Sequence, residues 1–304
     1  MTVFRHLLVP LDGSQLAEAA LPVAATLARR LGACVTLLHV VERGAPGTVH
    51  GEPHLTRPAE AEAYLGQVAQ WLAGQSLRAD FLVHLNGDDV GGCIAGRAVD
   101  IQADLIVLCT HGRSRFRALL FGRVAQQALI QGTTPVLLVP PTGMGRQQPF
   151  GCSRLLVPLD GSETAETALP AAAAVARACG AEALLMWVVP TVETVSGEWA
   201  VATRLMPTAT AALLDAEADQ ATTYLQRVAA RLHDEGVAAA AMVARGEPVR
   251  MVRDAVAKQA IDLVVMATHG RAGAAAVWEG SVAVRLAAQA ACPMLLVRIP
   301  APPG

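Results

Sequence analysis

Two glycine-bearing stretches, residues 110–123 and 268–281, contain the residue types best suited to hold a ligand. Each begins with Thr-His-Gly-Arg directly after an apolar run, and nine residues separate its glycine from a second glycine. A helix-like segment follows, so free backbone N–H groups and the positive end of a helix are expected to meet outside a sheet. This arrangement predicts a phosphate site. Because neither G-x-x-x-x-G-K-[ST] nor G-x-G-x-x-G occurs, it is neither a P-loop nor a dinucleotide fingerprint.

Two aspartates are further candidates, since Asp12 and Asp160 each lie in an Asp-Gly-Ser turn after a predicted strand. Such a carboxylate could contact a nucleotide or a metal, but Asp-Gly after a strand is also an ordinary turn that caps the next helix. His111 and His269 have no sequence-evident nucleophile or orienting carboxylate, so we predict a structural role for them rather than acid–base catalysis. The other histidines lack metal-ligand spacing, and no metal site is expected.

These stretches belong to two copies of one unit. Residues 6–14 return at 154–162 with one substitution, 148 positions later, and Thr-His-Gly-Arg returns 158 positions later. The second copy has therefore gained a net ten residues, which we interpret as a longer surface loop at about 190–220; a lid or a dimer contact are the alternatives. Pro, Gly and Gln cluster between the copies. We predict a first domain over residues 1–143, a linker over 144–152 and a second domain over 153–304.

Each copy alternates strand-like apolar runs with segments of helical period. In the first copy, a strand over residues 3–10 precedes a helix that Ser14 can N-cap and that Gly32 can end. This alternation predicts an α/β fold with two tandem, doubly wound, parallel five-stranded sheets, whose ligands sit at the carboxyl ends of strands. The last strands, 135–139 and 293–297, are expected at sheet edges, where an unpaired apolar edge invites pairing.

The composition excludes several classes of protein. Hydrophobic residues make up 53% and charged residues 16% of the 304 residues, so disorder of the whole chain is excluded. A net charge of −2 gives no global attraction to nucleic acid or to anionic lipid. No apolar run reaches the ~20 residues of a membrane span, and the N-terminal run ends too early for a signal peptide. Six cysteines without C-x-x-C spacing are interpreted as reduced thiols, which favours a cytoplasmic protein.

Taken together, these motifs resemble the universal stress protein family in its tandem two-domain form. Each copy has Leu-Val-Pro-Leu-Asp-Gly-Ser, a strand ending in Val-Val, an Asp-Leu-Ile/Val-Val run into Thr-His-Gly-Arg, the second glycine, and a closing Pro-Val/Met-Leu-Leu-Val. The resemblance spans about residues 3–140 and 153–299. It implies that the last strands pair across a twofold, so the two copies would form an intrachain pseudo-dimer. A further homodimer is also expected.

The nucleotide-binding members of that family hold ATP with G-x-x-G, nine residues and then G-[ST]. The resemblance implies that the second copy contacts the adenine through the Val188 backbone, the nucleoside through Asp160, and the ribose and phosphates through Ala267, Gly270, Arg271, Gly280, Ser281 and Val282. The corresponding positions in the first copy are Asp12, Val40, Cys109, Gly112, Arg113, Gly122 and Arg123. Whether magnesium accompanies the phosphates is left open.

The two copies depart from the family pattern to different degrees. Ala267 replaces the first glycine but still offers a backbone N–H. Arg123 replaces the expected serine or threonine, and it could either plug the pocket or grip the γ-phosphate as a guanidinium fork. The first loop is also rich in arginine, whereas the second is apolar with one acid. The motif match therefore favours the second copy as the better phosphate site, whereas the local charge favours the first. We favour the second copy, since a backbone cradle requires close approach before charge.

The resulting functional prediction is a cytoplasmic stress-response protein that binds ATP and signals through nucleotide occupancy. No general base or loop lysine is evident in the sequence, so we expect no catalysis, or at most very slow ATP hydrolysis. The alternative is a nucleotide-free interaction protein that keeps the fold but has lost the ligand. A third class, the adenine-nucleotide hydrolase type, would need a longer serine- and glycine-rich loop after the first strand than Leu11-Asp12-Gly13-Ser14 provides.

Overall fold

A computed structural model describes residues 4–44, 47–110, 122–141, 146, 150–195, 205–268, 282–289 and 291–299. We call its parts up to residue 141 the first half and those from residue 150 the second half. The strands are β1 (His6–Pro10), β2 (Cys34–Glu42), β3 (Thr48–Val49), β4 (Glu52–Pro53), β5 (Ala79–Gly87), β6 (Leu105–Cys109), β7 (Val136–Val139), β8 (Arg154–Pro158), β9 (Glu182–Val189), β10 (Ala239–Arg245), β11 (Leu263–Thr268) and β12 (Met294–Arg298).

Helices connect most of these strands, as the alternating pattern predicts. They are a 3₁₀ turn (Ala17–Ala19), α1 (Ala20–Leu31), α2 (Pro58–Ala73), α3 (Val90–Asp100), α4 (Arg123–Gln131), α5 (Glu163–Glu166), α6 (Leu169–Cys179), α7 (Pro207–Asp234), α8 (Pro248–Lys258) and α9 (Val282–Ala287). Ser162 is the N-cap of α5, and its Oγ accepts a hydrogen bond from Ala165 N–H at 3.1 Å. Ser14 Oγ accepts from Ala17 N–H at 3.2 Å, but α1 begins only after the 3₁₀ turn, so Ser14 caps the turn before α1 and not, as predicted, α1 itself.

One sheet of ten strands runs through the described part of both halves, in the order β10-β9-β8-β11-β12-β7-β6-β1-β2-β5. Within each half, the five strands of this sheet are parallel. β1 lies between β2 and β6 in the first half, and β8 lies between β9 and β11 in the second half. Each half therefore has a topological switch point beside its first strand, where the chain changes its direction of winding. The predicted fold class is confirmed.

The halves are joined at the centre of the sheet. β7 and β12 pair antiparallel, with Leu137 opposite Leu295. The apolar edges of β7 and β12 are therefore paired with each other within one chain, and the two halves form the predicted pseudo-dimer. Side chains alternate between the faces of these strands: Leu137 and Leu295 belong to one core layer, whereas Leu138 and Met294 belong to the other. Both layers extend across the two halves.

The segment predicted as a longer surface loop at about 190–220 is in part helical. From Pro207 onward it forms the first part of α7, a helix of 28 residues that packs on β9 and β10. The same position in the first half holds a β3–β4 hairpin followed by α2, which has 16 residues. The extra length therefore extends a helix, because its apolar positions continue at helical spacing. The predicted domain boundaries stay a prediction.

Candidate functional site

The second half has a cavity of about 360 Å³ at the carboxyl ends of β8, β9 and β11, beside the switch point between β8 and β11. We call it the second-half cavity. Four of the residues predicted from the sequence line it: Asp160, Val188, Ala267 and Val282. Small-molecule sites typically measure about 300–1,000 Å³, so this cavity has the size of a ligand site.

The Asp160 turn forms one wall of this cavity. Asp160 Oδ1 accepts hydrogen bonds from the backbone N–H and the hydroxyl of Ser162, at 3.0 and 2.6 Å. Gly161 has a φ of 79°, and a Cβ there would lie 2.5 Å from the Trp187 ring. A side chain at position 161 would therefore have an unfavourable positive φ and would also clash with the Trp187 ring. The tight turn holds the exposed Asp160 carboxylate at the cavity.

Val188 offers its backbone at the end of a strand. Leu159 N–H donates to Met186 C=O at 2.8 Å, and Gly246 N–H donates to Val189 C=O at 3.0 Å. Backbone polar groups alternate along a strand, so the N–H and C=O of Val188 point to the same side as those of Met186. On that side β8 ends at Pro158, in register with Met186. An N–H and a C=O are thus directed toward the cavity beyond the end of β8.

Thr268 is a cavity residue that the sequence did not single out as a ligand contact. Its side chain is 2% exposed and lines the cavity, yet its hydroxyl has no hydrogen-bond partner within the described ranges. The counterpart Thr110 donates its hydroxyl to Val139 C=O at 3.2 Å. Buried hydroxyls without a partner are costly and uncommon, so an oxygen-rich ligand would satisfy Thr268. The repeated Thr-His-Gly-Arg motif was the available signal.

Several predicted residues lie outside the described residues: Gly112, Arg113, Gly270, Arg271, Gly280 and Ser281. Their proposed contacts with phosphate stay predictions. Val282, directly after the second of these loops, is the first residue of α9 and lines the cavity. Among the described residues, no group of three or more His, Cys, Asp or Glu side chains could hold a metal ion.

The equivalent first-half cavity, lined by Asp12, Val40 and Cys109, measures only about 140 Å³. The β3–β4 hairpin and the residues after it restrict it. Leu55 packs so closely on Gly13 that a Cβ there would lie 2.8 Å from the leucine side chain. His50 Nε2 lies 3.7 Å from Asp12 Oδ2. The first-half cavity therefore falls below the usual range for a ligand site.

A buried histidine ties this cover in place. His39 is 1% exposed, and its two ring nitrogens lie 2.7 Å from Leu11 C=O and 2.9 Å from Leu55 C=O. The second half has Trp187 at the equivalent position, and that ring packs edge-on against Tyr224 of α7 instead. His39, which stands in β2 where the second half has Trp187, was the sequence signal for this difference. Its meaning depended on a contact with a distant segment.

The other first-half residues are placed as follows. Gly122 has a φ of 96° directly before α4, and Arg123 is exposed at the first position of that helix. Burial raises the pKa of the Cys109 thiol to about 12, so it stays protonated at neutral pH and is a poor nucleophile. Asp89 caps α3 and accepts a hydrogen bond from Gln131 Nε2 at 2.6 Å.

Asp89 gives a prediction on acid stability. The Gln131 hydrogen bond, the Gly92 N–H and the Arg123 charge lower its pKa, against the opposing effect of burial. A carboxyl with a lower pKa in the folded state stabilises the fold above its unfolded pKa of about 3.9. This stabilisation is lost as the pH falls through the folded pKa. In urea unfolding between pH 6 and pH 3, Asp89→Asn should lose stability less steeply than the unmodified chain.

Asp88→Asn is the matched control, because Asp88 is the neighbouring carboxylate and its side chain is 73% exposed. It should leave the steepness unchanged. Equal slopes for the unmodified chain and Asp89→Asn would contradict the assignment.

Comparisons with known proteins bear on both halves. The model of the universal stress protein family matches residues 4–140 and 152–298. Universal stress protein MJ0531 of Methanocaldococcus jannaschii is 28% identical over 151 residues, which cover 48% of this chain and 82% of that relative. Universal stress protein Sll1654 of Synechocystis is 31% identical over 138 residues, or 45% of this chain and 87% of the relative.

Among solved structures, a universal stress protein from Archaeoglobus fulgidus aligns over 97% of both chains, with a TM-score of 0.69 and 18% identity. This likeness concerns the fold. No helix among the described residues has the length and apolarity needed to cross a membrane.

Proposed function

Since the chain belongs to the universal stress protein family, we propose that its second half binds ATP in the second-half cavity and signals stress through nucleotide occupancy. The observation that carries the proposal is the position of that cavity. It lies at a switch point of a parallel sheet, where α/β folds bind their ligands, and it gathers Asp160, Val188, Ala267 and Val282 from four separate segments.

The polar groups in the cavity match the chemistry of an adenine nucleotide. The Val188 N–H and C=O can pair with the acceptor N1 and the donor N6 of an adenine ring. Met186 and Val188 supply apolar surface beside them. The Thr268 hydroxyl, which has no partner in the described part of the chain, can donate to a ribose or phosphate oxygen. The residues of the cavity therefore fit the nucleotide.

The proposal is binding without fast chemistry. The chain has one lysine, Lys258, and it is the last residue of α8, away from the residues that line the cavity. In P-loop nucleoside triphosphatases, a lysine side chain contacts the β- and γ-phosphates and supports phosphoryl transfer. We place this function in the cytoplasm, which agrees with six free cysteines. The further homodimer stays a prediction.

The first test identifies the nucleotide. The purified chain is denatured, and the released nucleotide is identified and counted by chromatography and mass spectrometry. We expect about one ATP per chain, because of the two equivalent strand-end cavities among the described residues the second-half cavity has the usual size of a ligand site and the first-half cavity does not. No released nucleotide, together with no rise in Tm at millimolar ATP with magnesium, would overturn the proposal and favour the nucleotide-free interaction protein.

A matched pair of threonine variants tests the site itself. Thr268→Val removes a hydroxyl that has no partner among the described residues, so it should leave stability unchanged or raised. It should weaken ATP binding by about tenfold, the equivalent of one lost hydrogen bond to a charged group. Thr110→Val removes a hydroxyl that bonds Val139. It should cost about 1 kcal/mol of stability and leave ATP affinity unchanged. Calorimetric titration measures the affinities, and a Thr268→Val variant with normal affinity would contradict the site.

A further inference from the structure

Cys152 and Cys179 lie side by side at the junction of the halves. Cys152 precedes β8 and Cys179 ends α6. The chain segments that carry them are linked by a backbone hydrogen bond of 2.9 Å, from Glu182 N–H to Ser153 C=O. The two cysteine side chains lie close enough for each thiol to shift the pKa of the other. Both cysteines are free in this structure.

The repeat shows what packing alone uses at these positions. At the spacing of 148 residues, Cys152 and Cys179 correspond to Phe4 and Leu31, which pack in the same core layer. The first half thus fills this place with two apolar side chains, whereas the second half has exchanged both for thiols. Packing does not require that exchange, since the larger side chains fill the space in the first half. A pair of thiols adds redox chemistry.

The two thiols are not equivalent. Cys152 is 9% exposed, whereas Cys179 is partly exposed. The neighbouring Cys152 side chain lowers the pKa of Cys179, and the charge of Arg30 on α1 lowers it further against the effect of burial. The Cys179 side chain, together with burial and the charge of Asp262, raises the pKa of Cys152. Cys179 therefore loses its proton first and is the nucleophile of the pair.

Cys179 is partly exposed, and an open cavity lies beside the end of its helix. A cavity of about 690 Å³ between α1, α6 and α7 is lined by Arg30, Arg177 and Ala178, the residue before Cys179. We propose that Cys152 and Cys179 form a redox-active dithiol, which a peroxide converts to an intramolecular disulfide. This inference is independent of the nucleotide site.

The reaction balances in two steps. The Cys179 thiolate attacks one peroxide oxygen, an S–O bond forms, the O–O bond breaks, and the departing hydroxide takes the Cys152 proton to give water. The Cys152 thiolate then attacks the Cys179 sulfur, an S–S bond forms, and the S–O bond breaks with release of hydroxide, which solvent protonates. The two thiols lose two electrons, and hydrogen peroxide is reduced to two molecules of water. A dithiol reductant reverses the change.

The test treats the reduced full chain with hydrogen peroxide and maps crosslinks by digestion without reductant and mass spectrometry. The expected product is a peptide pair joined through Cys152 and Cys179, which dithiothreitol separates. Cys152→Ser should stop at a sulfenic acid on Cys179 that dimedone traps, and Cys292→Ser should leave the crosslink unchanged. Crosslinks at other cysteines, or both thiols still open to alkylation after peroxide treatment, would overturn the proposal.

A second measurement needs no cysteine variant and so avoids any loss of folding. In the reduced chain at pH 7, iodoacetamide should modify Cys179 at least about tenfold faster than Cys292, whose pKa burial raises to about 12. Arg30→Gln should slow the Cys179 reaction several-fold. The neighbouring Arg29 bonds Gln75 instead, at 2.8 Å, so Arg29→Gln should leave the rate unchanged. A Cys179 rate no faster than that of Cys292 would overturn the inference.

Discussion

Ala267→Phe is expected to abolish ATP binding while the chain stays folded. Ala267 is partly exposed and lines the second-half cavity near the end of β11. A phenyl ring at this position would occupy the space between the Asp160 turn and Val282, where the nucleoside and phosphates are proposed to lie. Because the ring fills an open cavity and not a packed core, it adds contacts without the cost of overpacking.

Calorimetric titration and the ATP-dependent rise in Tm measure the effect. We expect affinity to fall on the order of 100-fold or more, which corresponds to about 2.7 kcal/mol. The matched control is Ala267→Gly, which restores the glycine of the resembling family and should keep or tighten binding, since it removes the methyl group from the cavity. An Ala267→Phe variant that still binds ATP normally would place the nucleotide elsewhere.

Leu137→Ala and Leu295→Ala are each expected to destabilise the chain by about 2–5 kcal/mol. These leucines face each other across the antiparallel β7–β12 pair at the centre of the sheet, and they are 0% and 1% exposed. Each truncation leaves a cavity in the core layer shared by the two halves. The loss is large against a total stability that is typically about 5–15 kcal/mol.

Urea unfolding followed by circular dichroism measures these losses. The double variant should lose less than the sum of the single variants, because both truncations enlarge the same cavity. Leu85→Ala serves as the control, since Leu85 lies on β5 at the outer edge of the sheet and is 51% exposed. It should change stability by no more than about 0.5 kcal/mol. Equal losses for Leu295→Ala and Leu85→Ala would contradict the role of the central pair.

Local features were readable from the sequence. The duplication, the alternation of strands and helices, and the Ser14 and Ser162 turns follow from periodicity, turn chemistry and repeated motifs. The pseudo-dimer was implied by the family resemblance and by the apolar last strands. Of the residues that the family resemblance implies for the second site, the structure brings Asp160, Val188, Ala267 and Val282 together at one cavity, and their contacts with a ligand stay predictions. Parallel strands place their carboxyl ends at one edge of a sheet, so residues at successive strand ends meet without further information.

Contacts between distant segments were decided only by the tertiary structure. From the sequence, the two halves could be compared only by motif and charge. The small size of the first-half cavity depends on the hairpin segment that His39 holds over the Asp12 turn. The same holds for Thr110 and Thr268, which stand in the same Thr-His-Gly-Arg motif. The Thr110 hydroxyl donates to Val139 C=O, whereas the Thr268 hydroxyl has no partner among the described residues. It holds again for the meeting of Cys152 with Cys179.

The physical reason is the range of the interactions. Helical period, turns and caps act over a few residues, so the main strands and helices and their order could be predicted from the sequence, whereas the β3–β4 hairpin and the first part of α7 were not. Cavity volume, the partner of a buried hydroxyl and the proximity of two thiols depend on side-chain packing among segments tens of residues apart. That packing is set by the whole fold and not by any local pattern.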